Sequence, residues 1–274
     1  MSRPVESNKA KIAKRVIEVL EYFDDENREA TVMDIVRRYE RPQSSTSELL
    51  SCLVDLGLLY KDPVSRTYTP TPRAAVIGTS AQPYIIRSGR MSAVIERLVA
   101  QTGLSVAMFG MVGLNTQIFS WCAGNRVVRM NDPRGGFANG AQESLAHSAA
   151  GTLLLSTVPQ PRRDGLLRRL NAEAAADRKF AIADMAAQVQ ACQDQGYAVG
   201  PAGFGAQADV CTVLVPEQPE NQPLALGFIY EPSAQIDPDA LVACLREVLK
   251  RSIEYPSFSS TTAMVQPLYS VSAA

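Results

Sequence analysis

The sequence predicts an α+β protein in two parts. A small helical unit closed by a β-hairpin is followed by a larger unit in which helices flank an antiparallel sheet. Three observations carry this. Apolar residues recur at helical spacing in three short segments before Gly57. The following stretch, LLYKDPVSRTYTPTPR, has two short strand-like runs around a turn-forming Asp-Pro-Val-Ser-Arg. From Leu104 onward the pattern changes to strand-like runs separated by further helices.

The first helix is predicted from about Asn8 to Phe23, with Ile12, Val16, Val19, Leu20 and Phe23 on its buried face. Lys9, Lys11, Lys14 and Arg15 crowd its first half, where cations oppose the helix dipole. Either an external anionic partner or an ordinary solvated face accounts for them. The second helix opens at Thr31, with Asp34 completing an approximate capping box, and ends near Tyr39. The third has Pro42 near its first turn and a polar lead, Gln43 to Glu48. Leu49, Leu50, Leu53 and Leu56 form its core side, and Gly57 closes it.

The hairpin pairs Leu58–Lys61 with Thr67–Thr69 across the turn at residues 62–66. A long helix is expected near Tyr84–Gln101, ended by Gly103. LSVAMFGMVG and TQIFSWCAG read as strands joined at Gly113-Leu114-Asn115, followed by NRVVRM, and NDPRGGFAN reads as a loop. Helical stretches follow at 143–157, 162–174 and 182–195, strands at 209–215 and 224–230, and a last helix from about Pro238 to Tyr255. The small, polar tail SFSSTTAMVQPLYSVSAA is expected to be mobile. The predicted division is 1–80, a linker helix at 81–102, 103–256, and a tail at 257–274.

Composition narrows the function classes. The 274 residues suit one or two domains, and 46% hydrophobic with 20% charged residues is ordinary for a protein with a sizeable core. The formal net charge of −1 argues against a globally basic nucleic-acid binder and leaves room for a local basic face. His147 is the single histidine, which excludes a multi-histidine metal site. Cys52, Cys122, Cys192, Cys211 and Cys244 contain no CxxC pair and suit buried thiols in a reducing cytosol. The N-terminus lacks a secretory signal and no run reaches the about 18 apolar residues of a membrane span, so a cytoplasmic location is expected.

Two short helices, a tight connection and a polar start to the second of them make a helix-turn-helix, and the hairpin after it makes a wing. Through Ser80 the charges cancel, 12 basic against 12 acidic, so their segregation matters more than their sum. Arg37, Arg38, Arg41, Arg66 and Arg73 surround the proposed reading edge, with Lys61 on the wing, and acids gather in the loop after the first helix. Gln43, Ser44, Ser45, Ser47 and Glu48 are the candidate base- and phosphate-contacting residues. The alternative for the same pattern is a trihelical domain used for protein contacts.

Elsewhere the motifs are weak. Gly110–Gly113 and Gly200–Gly205 lack the context of a phosphate loop. His147-Ser148 has no supported acid partner and no nucleophile elbow, which favours a structural histidine at a helix end. Asp209 opens an apolar strand and faces either a cavity or solvent. Met108, Phe109 and Trp121 are core or pocket wall.

The stretch RPQSSTSELLSCLVDLGLLYKDPVSRTYTPTPRAAVIG resembles the winged-helix segment of the IclR family of bacterial transcriptional regulators. Pro42, Ser44, Leu49, Leu50, Leu53, Leu56, Gly57, Asp62, Pro63, Ser65 and Tyr68 stand where that family's pattern has their counterparts. A weaker likeness runs through Gly151–Leu155, Gly196–Val199, Cys211 and Glu231-Pro232, so the resemblance spans about residues 8–255. It implies a winged helix, a linker helix and a GAF-like effector-binding domain, acting as a homodimer or dimer of dimers on double-stranded operator DNA. It implies no cofactor, no membrane and no catalytic role.

Gln43 and Glu48 depart from the family's usual Lys and Arg. Gln43 suits adenine; Glu48 either accepts from cytosine or points away from DNA. Carrying the family's effector contacts across gives Ala149 and Ala150 for the backbone amides, together with Cys211. Its acid position falls on Gly200 and its two serine positions fall on Phe228 and Tyr230. With Met108, Trp121 and Asp209 these make the candidate effector set. The aromatic replacements suit a larger, partly apolar organic acid or aromatic catabolite; alternatively Phe228 and Tyr230 simply fill the cavity. A ligand-sensing or protein-interaction module without DNA binding, or less readily a cytosolic enzyme, remain the competing classes.

Overall fold

The computed structural model describes residues 8–24, 26–78, 86, 88–126, 128–131, 135–218, 222–233 and 236–254. The chain forms two compact units, Met1–Gln82 and Pro83–Ala274.

In the first unit, helices α1 (Asn8–Glu21), α2 (Val32–Tyr39) and α3 (Gln43–Asp55) precede strands β1 (Leu59–Lys61) and β2 (Tyr68–Pro70) and the short helix α4 (Pro72–Val76). The Thr31 main-chain N–H donates to Asp34 Oδ2 at 2.8 Å and Asp34 N–H donates back to Thr31 Oγ1 at 3.3 Å, the capping box of α2. Glu40, with φ 52°, ends that helix and sets the tight turn into α3. Thr46, read as part of a polar lead, is buried and donates to the Pro42 carbonyl at 2.9 Å. β1 and β2 pair antiparallel with Lys61 opposite Tyr68, and Ala30 bridges to Tyr68 on the other side. Val19, Ile35, Leu50, Leu53, Leu59 and Tyr68 make the core. Ile12 and Leu56, expected inside, are 55% and 52% exposed, because each lies one helical step beyond the stripe that meets its neighbours.

The second unit is built on a six-stranded antiparallel sheet of order β5-β4-β3-β8-β7-β6. Its strands are β3 (Ser105–Val112), β4 (Asn115–Cys122), β5 (Gln142–Ser144), β6 (Tyr197–Pro201), β7 (Asp209–Leu214) and β8 (Leu224–Tyr230). Helices α5 (Arg90–Thr102) and α9 (Pro238–Glu254) pack on one face. Helices α6 (Ala149–Ser156), α7 (Arg162–Glu173) and α8 (Ile182–Gln195) pack on the other. This is the α+β arrangement with an antiparallel sheet that the sequence predicts.

Details differ from expectation. NRVVRM forms no strand among its described residues beyond a single bridge from Met130 to Ala206. The stretch read as helix from Glu143 starts instead as the edge strand β5 and a 3-10 turn at Leu145–His147, and Ser148 caps α6. Strand β6 had no alternating pattern of its own; pairing with β7 makes it. Helix α5 begins at Arg90, after Gly89 with φ 70°. The remainder of the expected linker helix at 81–85 and 87, Tyr255, and the tail lie outside the described residues.

Two close approaches lock the second unit. A side chain on Gly151 would collide with the Leu145 carbonyl oxygen, so only glycine lets α6 fold back on the turn that precedes it. Arg163, 5% exposed, donates to the carbonyls of Val158 (2.8 Å) and Ser156 (2.9 Å) and to Gln193 Oε1 (2.8 Å). It satisfies carbonyls at the end of α6 and ties that end to α8.

Candidate functional site

In the first unit, α3 presents Gln43, Ser44 and Glu48 to solvent, with Ser45 and Ser47 half-buried beside them. No side chain caps the start of α3, because Pro42 occupies the N-cap. Its first-turn N–H groups therefore lack the side-chain acceptor that usually stands there and suit an anion. Beside this end lies a groove of about 520 Å³ lined by Lys11, Ile12, Lys14, Arg15, Arg41, Pro42 and Ser45. Arg15 Nη2 donates to Ser45 Oγ at 3.2 Å, which draws α1 toward the start of α3. Lys11 and Lys14 are exposed.

The predicted cations do not all stand at this end. Arg41 turns to Glu18, with Nη2 3.2 Å from both carboxylate oxygens, so it braces α1 against the α2–α3 turn. Arg73 lies beside Gly57 at the other end of α3, a helix length of about 20 Å from Gln43. The bonds from Thr71 to the Leu58 and Gly57 carbonyls set that position. One expectation is corrected: Arg73 is remote from the reading edge, whereas Arg41, 40% exposed, pairs with Glu18 and still lines the groove at the start of α3. Arg37 is 75% exposed, with Asp34 4.0 Å away, and Arg38 is also exposed at the end of α2. On the wing, Lys61 lies over the Tyr68 ring at 5.3 Å, and Arg66, with φ 58°, projects from a turn held by Asp62. Bonds from the Ser65 and Val64 amides hold the Asp62 carboxyl below its usual range.

In the second unit the predicted effector set is divided by the sheet. Met108, Cys211, Phe228 and Tyr230 face α5 and α9, whereas Ala149, Ala150 and Trp121 belong to the α6 side. Asp209 pairs with Tyr230 across β7 and β8 and is partly exposed. Strand alternation imposes this: Phe228 and Tyr230 share a parity that points away from α6. Cys211 and Phe228 are fully buried, and burial pushes the Cys211 thiol up to about 12. Burial also raises the Asp209 carboxyl and, with the charges of Cys211 and Asp209, the Tyr230 hydroxyl, which is buried with no hydrogen-bond partner among the described residues. The expectation that these residues line one cavity is corrected: Met108, Cys211, Phe228 and Tyr230 are packed core.

Different aromatic residues fill the α6 side. Phe204 stacks with Phe109 at 6.3 Å, Phe137 with Trp121 at 5.0 Å, and Phe137 meets Phe204 at 5.8 Å. A bulge opposite Met108/Phe109 lets Ile118 and Trp121, three residues apart, face the same side. Two openings remain there. One, of about 370 Å³, lies between the start of α6, α8 and β6 and includes His147, Ala149, Cys192 and Tyr197. The other, of about 710 Å³, lies outside the Phe204 loop and includes Glu143, His147 and Arg178. Ala150 is fully buried.

His147 stands in the turn before α6, as a helix-end histidine, but it has the acidic neighbour that the sequence did not disclose. Its Nδ1 is 3.3 Å from Glu143 Oε1 and 3.3 Å from Arg178 Nη1. The four-residue spacing of Glu143 and His147 is a weak local signal; nothing in the sequence points to Arg178. Similarly, the cations of α1 were visible as a cluster, but only folding sets them beside α3. Among the described residues, no group of three or more His, Cys, Asp or Glu could hold a metal ion, and no helix is long and apolar enough to cross a membrane.

Residues 13–63 match the IclR helix-turn-helix domain. No curated protein matches the chain. Among solved structures, an IclR homologue from Microbacterium hydrocarbonoxydans complexed with 4-hydroxybenzoate aligns with a TM-score of 0.57 at 16% identity, over 88% of this chain and 97% of that one. The Thermotoga maritima IclR aligns with a TM-score of 0.55 at 15% identity, over 89% and 96%. An IclR transcriptional regulator from Alicyclobacillus acidocaldarius aligns with a TM-score of 0.55 at 18% identity, over 90% and 96%. At these identities the structures speak to the fold, and the domain match speaks to the helix-turn-helix. Residues 13–63 match the IclR helix-turn-helix domain, and the chain has the fold of the solved IclR-family structures.

Proposed function

We propose that the protein is a transcriptional regulator that binds operator DNA through α3 and changes its affinity when the second unit takes up a small organic molecule. The observation that carries the DNA reading is the open start of α3, with exposed Gln43, Ser44 and Glu48 beside the groove of Lys11, Lys14 and Arg15. In this reading the helix lies in the major groove, and Gln43 and Glu48 read base edges while Ser44, Ser45 and Ser47 stay close to the backbone. The α1 cations, with Arg37, Arg38, Lys61 and Arg66, neutralise phosphates and supply most of the affinity. A homodimer, or a dimer of dimers, would place two such helices on a roughly palindromic site in the cytoplasm.

The α6 side of the second unit is the sensor in this reading. Its two openings have the size of small-molecule sites, and the Microbacterium hydrocarbonoxydans homologue is complexed with 4-hydroxybenzoate. An organic acid or aromatic catabolite is the proposed effector class, and a catabolic operon the proposed target. Such a molecule shifts DNA binding only by its different affinity for the binding and non-binding states.

Fluorescence anisotropy with the protein's own upstream DNA tests this. Tighter binding than to random DNA of equal length, weakening steeply with salt, is the expected result. Equal affinity for both DNAs, with and without added organic acids, would sink the regulator reading.

A further inference from the structure

The basic groove beside the start of α3 has an acid at its back. Lys11, Lys14, Arg15 and Glu18 recur at helical spacing and follow one side of α1 toward the α2–α3 turn. The three cations line the groove together with Arg41, and no acid is among its lining residues. Glu18 stands behind Arg41. Its side chain is 17% exposed against 40% for the arginine, and both its carboxylate oxygens lie 3.2 Å from Arg41 Nη2.

The pair leaves Arg41 with capacity to spare. One guanidinium nitrogen serves both carboxylate oxygens, in place of the two-nitrogen fork that makes such pairs strong. Arg41 Nε is buried with no hydrogen-bond partner among the described residues. Other bonds hold the two backbones. The Tyr39 hydroxyl donates to the Glu18 carbonyl at 2.6 Å and Tyr22 N–H donates to it at 3.1 Å, while Arg41 N–H donates to the Val36 carbonyl at 3.3 Å. The side chains can therefore part without releasing α1 from the turn.

We propose that Glu18 is a positioning residue for DNA binding: it holds Arg41 at the edge of the groove in the free protein and yields it to a backbone phosphate when α3 is seated. This deepens the DNA reading above and rests on it. A phosphate entering the groove is attracted by Lys11, Lys14 and Arg15 and repelled by the carboxylate behind Arg41. Transfer of Arg41 neutralises one phosphate but leaves Glu18 to collect a cation from solution, so the exchange releases about no net counterion. Glu18 thus cancels one phosphate's share of the affinity, whatever the base sequence. Its charge sets how tightly DNA is held, not which DNA is chosen.

The test uses full-length protein and fluorescence anisotropy across a salt series, with the protein's own upstream DNA and a random duplex of equal length. Glu18→Gln should bind both DNAs at least about threefold more tightly, with a salt slope steeper by about one. Arg41→Gln should bind at least about threefold more weakly, because the acid is left unpaired beside the phosphate path. In the double variant the slope should return to that of the wild type. Thermal melts establish that each variant is folded; if Glu18→Gln is not, Arg41→Gln carries the test. Unchanged or weaker binding by folded Glu18→Gln, a gain at an unmoved slope, a steeper slope that persists without Arg41, or unaffected Arg41→Gln overturns the proposal. If wild-type protein still prefers its own upstream DNA, Glu18's role alone has failed; if it does not, the regulator reading falls as well.

Discussion

The two faces of the six-stranded sheet are made of similar residues and behave differently. On the α5/α9 side, Met108, Cys211, Phe228 and Tyr230 are buried against two amphipathic helices. On the α6 side, helix ends, a 3-10 turn and two loops converge, and backbone polar groups must find partners among side chains. Glu143, Ser148 and Arg163 serve those groups, and the two openings lie among them. Continuous helix over sheet seals a face; converging termini leave it accessible and polar. The lesson is that aromatic and cysteine residues at plausible positions do not mark a ligand face, whereas places where chain ends must be satisfied do.

The sharpest way to break this contrast is Phe228→Ala. As a fully buried core residue it should lose about 3–5 kcal/mol in chemical denaturation, whereas a pocket-lining ring would lose far less and change ligand affinity instead. Arg163→Ala probes the other face. It strips donors from the Ser156 and Val158 carbonyls and should cost about 3 kcal/mol, with hydrogen exchange quickening first at the end of α6.

The first unit follows the same logic on a smaller scale, because its helix ends are where its polar chemistry collects. Thr31→Ala should cost about 1 kcal/mol by removing the α2 cap. The same cap predicts an acid limb. The Thr31 hydroxyl and main-chain bonds, with Arg37 nearby, hold the Asp34 carboxyl below its usual range. Its contribution is therefore present above the unfolded carboxylate value and is lost as pH falls through the lower folded value. Thr31→Ala should flatten that limb in a pH series of denaturation midpoints. The smallest expected change is Lys14→Ala: unaltered stability, with the salt slope of DNA binding reduced by about one. An unchanged slope would remove the α1 groove from the DNA surface.

Much of the architecture is legible along the chain. Thr31 and Asp34 announce α2, Gly57 and Gly103 close helices, and the Asp62 turn announces the wing. The cations of α1 were legible as a group whose purpose was not. What escaped was anything depending on partners far apart in sequence. The pairing of Arg41 with Glu18, 23 residues earlier, is not visible until α1 packs. The edge strand β5 was read as helix because three residues carry too little period to distinguish the two.

Caps, turns and helical period are local, fixed by hydrogen bonds and dihedral preferences within a few residues, and for these the sequence alone was sufficient: it determined a winged helix-turn-helix followed by an antiparallel α+β unit. Which face Phe228 turns to, which acid Arg41 meets, and that Arg178 joins Glu143 and His147 were decided only by the tertiary structure. A single step of strand parity reverses a side chain's surroundings, and contacts spanning 23 to 61 residues exist only after the core has closed.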